Sequence, residues 1–202
     1  MIALIDYKAG NLTSVRKAFA ALGAQLFTPE TADELASADA IVVPGVGHFA
    51  ATKSLGPQWI DAILARVGEG RPLLGICLGM QWLYEDSEEA PDLRGLGLLS
   101  GSCRKLRPPP GEPPVKVPHV GWNSLERSGE GSIVDDVPDG AQVYFTHSYI
   151  APVTPHTVAA TEHGEVFASI VQRGQVAGVQ FHPEKSGEVG LTILRNFKRM
   201  AG

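Results

Sequence analysis

The sequence predicts an α/β fold in three layers: a mostly parallel central sheet with helices on both faces, and an additional antiparallel part in the second half. Three observations lead there. Short, continuously apolar runs at Ile2 to Ile5, Ala40 to Val43 and Leu73 to Ile76 have the character of strands buried on both faces. Segments of about ten residues with helical spacing alternate with these runs, the mark of βαβ units. Beyond residue 140, closely spaced β-rich runs punctuated by Gly and Pro indicate antiparallel pairing.

Taken in order, residues 2–5 form a first strand, Gly10-Asn11 a turn and N-cap, and Leu12 to Leu22 an amphipathic helix stopped by Gly23. Gln25 to Thr28 is a short strand, Thr31 to Ala36 a short helix, and Ala40 to Val43 a strand running into the glycine turn Pro44-Gly-Val-Gly47. Gln58 to Val67 carries apolar residues at 59, 60, 63, 64 and 67, a helical period ended by Gly68 and Gly70. The strand at 73–76 follows. Right-handed crossovers place the C-terminal ends of parallel strands on one edge, where ligands bind, so the glycine turns at 44–47 and 75–79 should face each other there. The proline-rich stretch 107–114 reads as a stiff surface excursion between hairpin strands rather than a polyproline ligand. Tyr144 to Tyr149, Thr157 to Thr161, Phe167 to Gln172 and Val176 to Phe181 are strands, and Ser186 to Met200 a closing helix with Ser186 as N-cap.

Composition narrows the function. The chain has 202 residues, 44% hydrophobic and 19% charged, enough for one domain over 1–202 with a substantial core. Its 17 basic and 22 acidic residues give a net charge of −5 with no long basic run, which argues against a nucleic-acid or anionic-membrane surface. No apolar run approaches the roughly 20 residues of a membrane span, and the apolar start reads as a first strand rather than a signal peptide. The two cysteines, Cys77 and Cys103, lie far apart, which points to a reducing cytoplasm.

Chemistry concentrates in Gly75-Ile-Cys-Leu-Gly-Met-Gln81. Cys77 falls on a strand-to-helix turn, with Gly75 and Gly79 removing side chains that would crowd a tight bend. Such a turn should push the sulfur out of the sheet edge into solvent, at a helix N-terminus that favours thiolate and leaves the Leu78 amide for an oxyanion. Gln81, four residues on, shares a helix face with Cys77 and could hold a substrate over it. On this stretch alone, a buried structural cysteine stays open. The strand 176–181 then delivers His182-Pro183-Glu184. Pro183 biases His182 toward an extended conformation, placing Glu184 on the same side to orient the ring. Nucleophile, base and orienter are then all present.

These residues resemble the class I, or triad, glutamine amidotransferases over essentially the whole chain. Pro44-Gly-Val-Gly-His-Phe49, Pro118-His-Val-Gly-Trp-Asn123, His182-Pro-Glu-Lys-Ser186 and Asp6-Tyr-Lys-Ala-Gly-Asn11 are similar to the glutaminase subunits of imidazole glycerol phosphate synthases. The resemblance implies the class I amidotransferase fold, with glutamine as substrate, Cys77 as nucleophile, His182 as proton carrier and Glu184 as its orienter. It implies substrate contacts from Gly45, Gly47, Gln81, Glu89, Ser148 and Tyr149, and an oxyanion hole from the amides of Val46 or Gly47 and of Leu78. A peptide flip in the 44–47 loop would be the activation step.

The resemblance implies no cofactor and no metal. It implies a cyclase partner, in a 1:1 heterodimer, that takes the ammonia and makes imidazole glycerol phosphate and AICAR phosphate in histidine biosynthesis. Asn11, Arg16, Trp122, Asn123 and Lys185 would meet that partner. A glutaminase for another synthase, such as anthranilate or aminodeoxychorismate synthase, is the alternative, and a redox thiol protein on a related fold would lack the His-Pro-Glu strand end. His48, His119, His147, His156 and His163 have no metal-ligand spacing, and Cys103 reads as an inert thiol.

Overall fold

Alternating side chains along each short parallel strand feed two separate apolar layers, which explains why runs such as Ala40 to Val43 carry no polar residue. Ile2, Leu4, Val42, Leu74 and Ile76 pack in one layer, while Ala3, Ile5, Ile41, Val43 and Leu73 pack in the other. The structure is a computed structural model describing residues 1–108, 110–111 and 114–202. Part of the proline-rich excursion, at 109, 112 and 113, lies outside the described residues.

In chain order the elements are β1 (Ile2–Leu4), α1 (Leu12–Ala21), β2 (Leu26–Phe27), β3 (Ala40–Gly45), α2 (Pro57–Gly68), β4 (Leu73–Cys77) and α3 (Leu78–Trp82). There follow β5 (Asp86–Ser87), β6 (Ser102–Lys105), β7 (His119–Ser124), β8 (Glu126–Arg127), β9 (Gln142–His147) and β10 (Tyr149–Ile150). The chain closes with β11 (Thr157–Glu162), β12 (Val166–Arg173), β13 (Val176–Val179) and α4 (Gly187–Met200). Among the described residues the main sheet has the order β2-β1-β3-β4-β13-β12-β11-β8. The pairs from β2 to β13 are parallel, and those from β13 to β8 antiparallel. Phe19 of α1 and Phe197 of α4 meet edge to face in the first apolar layer; Ile63 of α2 and Trp82 of α3 belong to the second. The expected three layers are therefore present, and no helix among the described residues is long and apolar enough to cross a membrane.

Local signals act largely as the sequence predicts. Asn11 caps α1 by accepting from the Ser14 amide, and Gly23, at φ +64°, ends it. The helix expected at 31–36 is instead a 3-10 helix, Ala32–Ser37, because so short a segment between two strands holds little more than one turn. Two expectations are corrected. The strands flanking the proline-rich stretch do not form a hairpin: β6 joins β10 and β5, while β7 pairs with β9 from His119↔His147 to Ser124↔Gln142. Their long connection imposes no register, so each strand takes the partner that the rest of the fold offers. Ser186 does not cap α4 through its side chain. Its hydroxyl donates to the His182 carbonyl (2.7 Å) and accepts from the Tyr144 amide (3.0 Å), stitching the end of the β13 segment to β9.

The start of α3 lies directly on the sheet. A Cβ at Gly79 would stand 1.8 Å from the Val43 carbonyl oxygen, and one at Gly75 would stand 2.5 Å from the Gly79 carbonyl oxygen. Gly79→Ala should therefore force backbone to move and lower the thermal midpoint by about 5–10 °C. Gly68→Ala, in α2 with nothing within 4 Å, should leave the midpoint unchanged or raise it by a few degrees. Calorimetry of both variants checks this; equal midpoints would mean that α3 is free to lift off the sheet.

Candidate active site

Gly45 and Cys77 are register partners on neighbouring parallel strands, so the two glycine turns meet at one sheet edge. Cys77 leaves β4 at φ 55° and ψ −108°, a conformation that costs a non-glycine residue about 1–3 kcal/mol. The turn does not lift the sulfur into open solvent as expected, since Cys77 is only 6% exposed. Instead Cys77 lines a cavity of about 290 Å³ with Gly47, Leu78, Gln81, Glu89, Ser148 and Tyr149. Walled in also by Pro118, Thr146 and His147, the cavity suits an amino-acid-sized ligand. The following helix, α3, is five residues long, so it offers first-turn amides rather than a long dipole. Leu78 is its first residue, and its amide has no intrahelical acceptor.

His182 and Glu184 come together as predicted, by a different local route. His182 is extended (φ −99°, ψ 98°), but Pro183–Lys185 is a 3-10 turn, and that turn brings the carboxylate back to the ring. Nδ1 donates to Glu184 Oε1 at 2.9 Å, with both side chains 3% exposed. The ring thereby keeps Nε2 for another partner; among the described residues none meets hydrogen-bond geometry at that atom. Burial opposes charge on His182, yet hydrogen bonding and the charges of Cys77 and Glu184 outweigh it and push its pKa up to about 10. The neighbouring cysteine and glutamate thus favour the imidazolium form of His182.

The predicted substrate residues are placed unevenly. Gln81 donates through Nε2 to the Tyr149 carbonyl (2.9 Å) and to Gln180 Oε1 (3.1 Å). Both N–H groups are committed, so Gln81 meets a ligand through Oε1, as an acceptor. Glu89 accepts from the Phe49 amide at 2.7 Å, tying the segment after the glycine turn to the opposite wall. The carbonyls of Ser148 and Tyr149 are occupied, Ser148 by the Leu106 amide and Tyr149 by Gln81 and His147. Gly45 is closed in from behind: a Cβ there would lie 2.0 Å from the Tyr7 hydroxyl. Of the expected oxyanion donors, the Val46 amide is engaged by the Ala9 carbonyl (2.9 Å). Gly47, at φ +99°, lines the cavity.

Three residues near the site were missed from sequence. Tyr7 is buried with its hydroxyl unpartnered among the described residues; burial first, and the charge of Cys77 second, push its pKa up. Gln180 is fully buried and reaches the sulfur. His147 lines the cavity and bonds to His119, Nδ1 of His119 lying 3.1 Å from Nε2 of His147. His147 Nδ1 donates to the Tyr149 carbonyl, so its Nε2 accepts from His119. Desolvation lowers the pKa of His119 to about 4 and of His147 to about 3. Alternation along Tyr144-Phe-Thr-His-Ser-Tyr149 was the available signal, pointing His147 inward with Phe145. Cys103 is buried, its pKa raised by desolvation, in keeping with an inert thiol.

The expected partner-facing residues are held by different local contacts. Trp122 is 56% exposed and meets Tyr144 edge to face, and the Lys185 ammonium sits 5.7 Å from the centre of the same Tyr144 ring. Asn123 follows on β7 and donates to the Glu162 carbonyl at 2.9 Å. Asn11 is held at the start of α1 by Ser14, and Arg16 donates to the Thr28 hydroxyl.

Comparison with known proteins gives the family. Residues 3–200 match the family described as glutamine amidotransferase class-I. The imidazole glycerol phosphate synthase subunit HisH of Bacillus mycoides (strain KBAB4) is 44% identical over 203 residues, covering 98% of this chain and 94% of that protein. The subunit of the same name from Bacillus cytotoxicus is 43% identical over 201 residues with the same coverage. Among solved structures, a glutamine amidotransferase superposes with a TM-score of 0.76 at 21% identity, covering 100% of both chains. A glutamine amidotransferase from Thermotoga maritima gives 0.67 at 17%, covering 99% of this chain and 97% of that one. At these identities the two structures establish the fold.

The histidines carry a pH signature. His119 and His147 lie below 6.5 in the folded state, so unfolding takes up protons as pH falls from 6.5 toward 4. Their stabilisation is present above pH 6.5 and lost through that window. His182 behaves oppositely, its contribution being present below pH 6.5 and lost as pH rises through about 10. His119→Gln should lessen the acid loss of stability between pH 6.5 and 4, read from urea midpoints across that range; an unchanged slope would remove the ring from the explanation.

Proposed function

Because the chain belongs to the class-I glutamine amidotransferase family, among its HisH subunits, we propose that it hydrolyses glutamine and hands the ammonia to a cyclase subunit. The observation that carries this reading is the buried Cys77 on a strained turn, beside a Glu184-held His182 and open to an amino-acid-sized cavity.

The chemistry follows from the atoms present. The Cys77 thiolate attacks the side-chain amide carbon of glutamine, giving a tetrahedral oxyanion toward the Leu78 amide. Imidazolium His182 gives its Nε2 proton to the leaving nitrogen, and ammonia departs as the thioester forms. The now neutral His182 takes a proton from water, hydroxide adds to the thioester, and collapse releases glutamate and regenerates the thiolate–imidazolium pair. Glu184 keeps Nδ1 protonated throughout, so Nε2 alone exchanges protons. At the other end of the substrate, Gln81 Oε1 and Glu89 offer acceptors to the α-ammonium group.

The ammonia would pass to one cyclase per chain, docked over the face bearing Trp122, Tyr144 and Lys185, and yield imidazole glycerol phosphate and AICAR phosphate. A reducing cytoplasm would preserve Cys77 as a thiol. With the Val46 amide held by Ala9, the Leu78 amide is without that partner as an oxyanion donor in the resting site. Releasing that bond and turning the 46–47 segment, which Gly47 permits, would add a second.

Two outcomes test the reading. Cys77→Ser should abolish glutamine-dependent synthesis by the complex while ammonium still supports the cyclase; loss with both nitrogen sources would refute the division of labour. The isolated chain should hydrolyse glutamine slowly, and the complex with its cyclase ligand bound should be about 10²- to 10³-fold faster, the worth of one oxyanion donor. Steady-state glutamate release, measured with and without partner, decides it.

A further inference from the structure

The triad leaves one side chain at the sulfur unexplained. Gln180 is fully buried, two residues before His182 on the segment that continues β13, and its own amide N–H is fixed to the Ser169 carbonyl at 2.9 Å. Its side-chain Nε2 lies 3.8 Å from Cys77 Sγ, within hydrogen-bond range for sulfur.

The network decides which end of that amide faces the thiol. The Tyr149 carbonyl can only accept, so Gln81 must present Nε2 to it. The same Nε2 donates to Gln180 Oε1 at 3.1 Å. Gln180 therefore shows oxygen to Gln81 and nitrogen to the sulfur, and a flipped amide would lose both bonds. Besides His182, the sulfur has the Thr146 carbonyl as a neighbour, 3.9 Å away. That oxygen suits a thiol, whose S–H it accepts, and repels a thiolate. An amide donor on the sulfur adds to the His182 charge in offsetting it, and burying that primary amide's N–H without a partner would cost desolvation and gain nothing.

We propose that Gln180 is a positioning residue for the nucleophile, donating its side-chain amide to the Cys77 sulfur while Gln81 clamps that amide in place. This rests on Cys77 being the nucleophile and deepens it: one residue lining the substrate cavity, Gln81, also sets the donor that stabilises the thiolate. The other ionisable groups around the sulfur are His182 on the β13 segment, Tyr7 after β1, His147 at the end of β9 and Glu89 across the cavity, and replacing Gln180 or Gln81 removes none of them.

The test uses the full chain and iodoacetamide, with peptide mass mapping to separate Cys77 from Cys103. The rate of Cys77 alkylation is followed from pH 4.5 to 9.5. In Gln180→Met, which keeps length and loses the donor, the half-maximal point should move upward by about 1 pH unit, a tenfold loss of thiolate below it. Gln180→Glu, isosteric and anionic, should move it further. Gln81→Leu should move it in the same direction, and the double variant no further than Gln180→Met alone, because both act through one bond. A purely structural role would lower the thermal midpoint and leave the inflection where it was. An unchanged inflection in a cooperatively melting Gln180→Met protein, or in Gln81→Leu if the former does not fold, overturns the proposal. The underlying reading fails on a separate arm: parental protein alkylated at Cys77 that still hydrolyses glutamine would show that Cys77 is not the nucleophile.

Discussion

Helix α3 begins so close to β3 that the two glycines at 75 and 79 have no room for a methyl group, and this contact sets the position of everything else at the sheet edge. Once α3 is pressed onto the Val43 carbonyl, the chain between β4 and α3 must turn within a single residue. Cys77 takes that turn at positive φ, and the strain is held by the packing of Leu78, Met80 and Trp82 into the apolar layer below. The sulfur is then held opposite Gly45, its register partner on β3, so that the nucleophile and the glycine turn share one end of the cavity.

Around that fixed sulfur the polar groups are nearly all paired, and the pairings divide the labour. Gln81 is engaged with Tyr149 and Gln180 and keeps one acceptor for a ligand, while Glu89 gives one oxygen to the Phe49 amide. The exceptions are informative. His182 Nε2, Glu184 Oε2 and the Tyr7 hydroxyl are buried without partners among the described residues. Buried polar atoms left unpaired are costly, and two of these three belong to the proposed triad, where a proton is to be moved.

The same fold holds two neighbouring histidines in opposite states. His147 is buried close to the rings of Phe145, Phe167 and His119, and desolvation first, with the neighbouring histidines adding to it, drives it toward the neutral form. His182 is also buried and is driven toward the charged form by Cys77 and Glu184. Burial alone does not assign a role; the charge of the nearest partner does.

Sequence alone determined the alternation of buried strands and helices, the glycine-flanked turn at Cys77 and the pairing of His182 with Glu184, because each depends on neighbours within a few positions. The Asn11 cap and the helix stop at Gly23 are legible for the same reason. Tertiary structure decided that the sulfur lies inside a cavity rather than in solvent, that β6 and β7 part company, and that Ser186 ties the His182 segment to β9 instead of capping α4. It also brought Gln180, Tyr7 and His147 to the site and withdrew the Val46 amide into a bond with Ala9. Those contacts join residues far apart in the chain, and no periodicity or spacing encodes them: they exist only once the sheet order has put β1, β3, β4 and the end of β13 side by side.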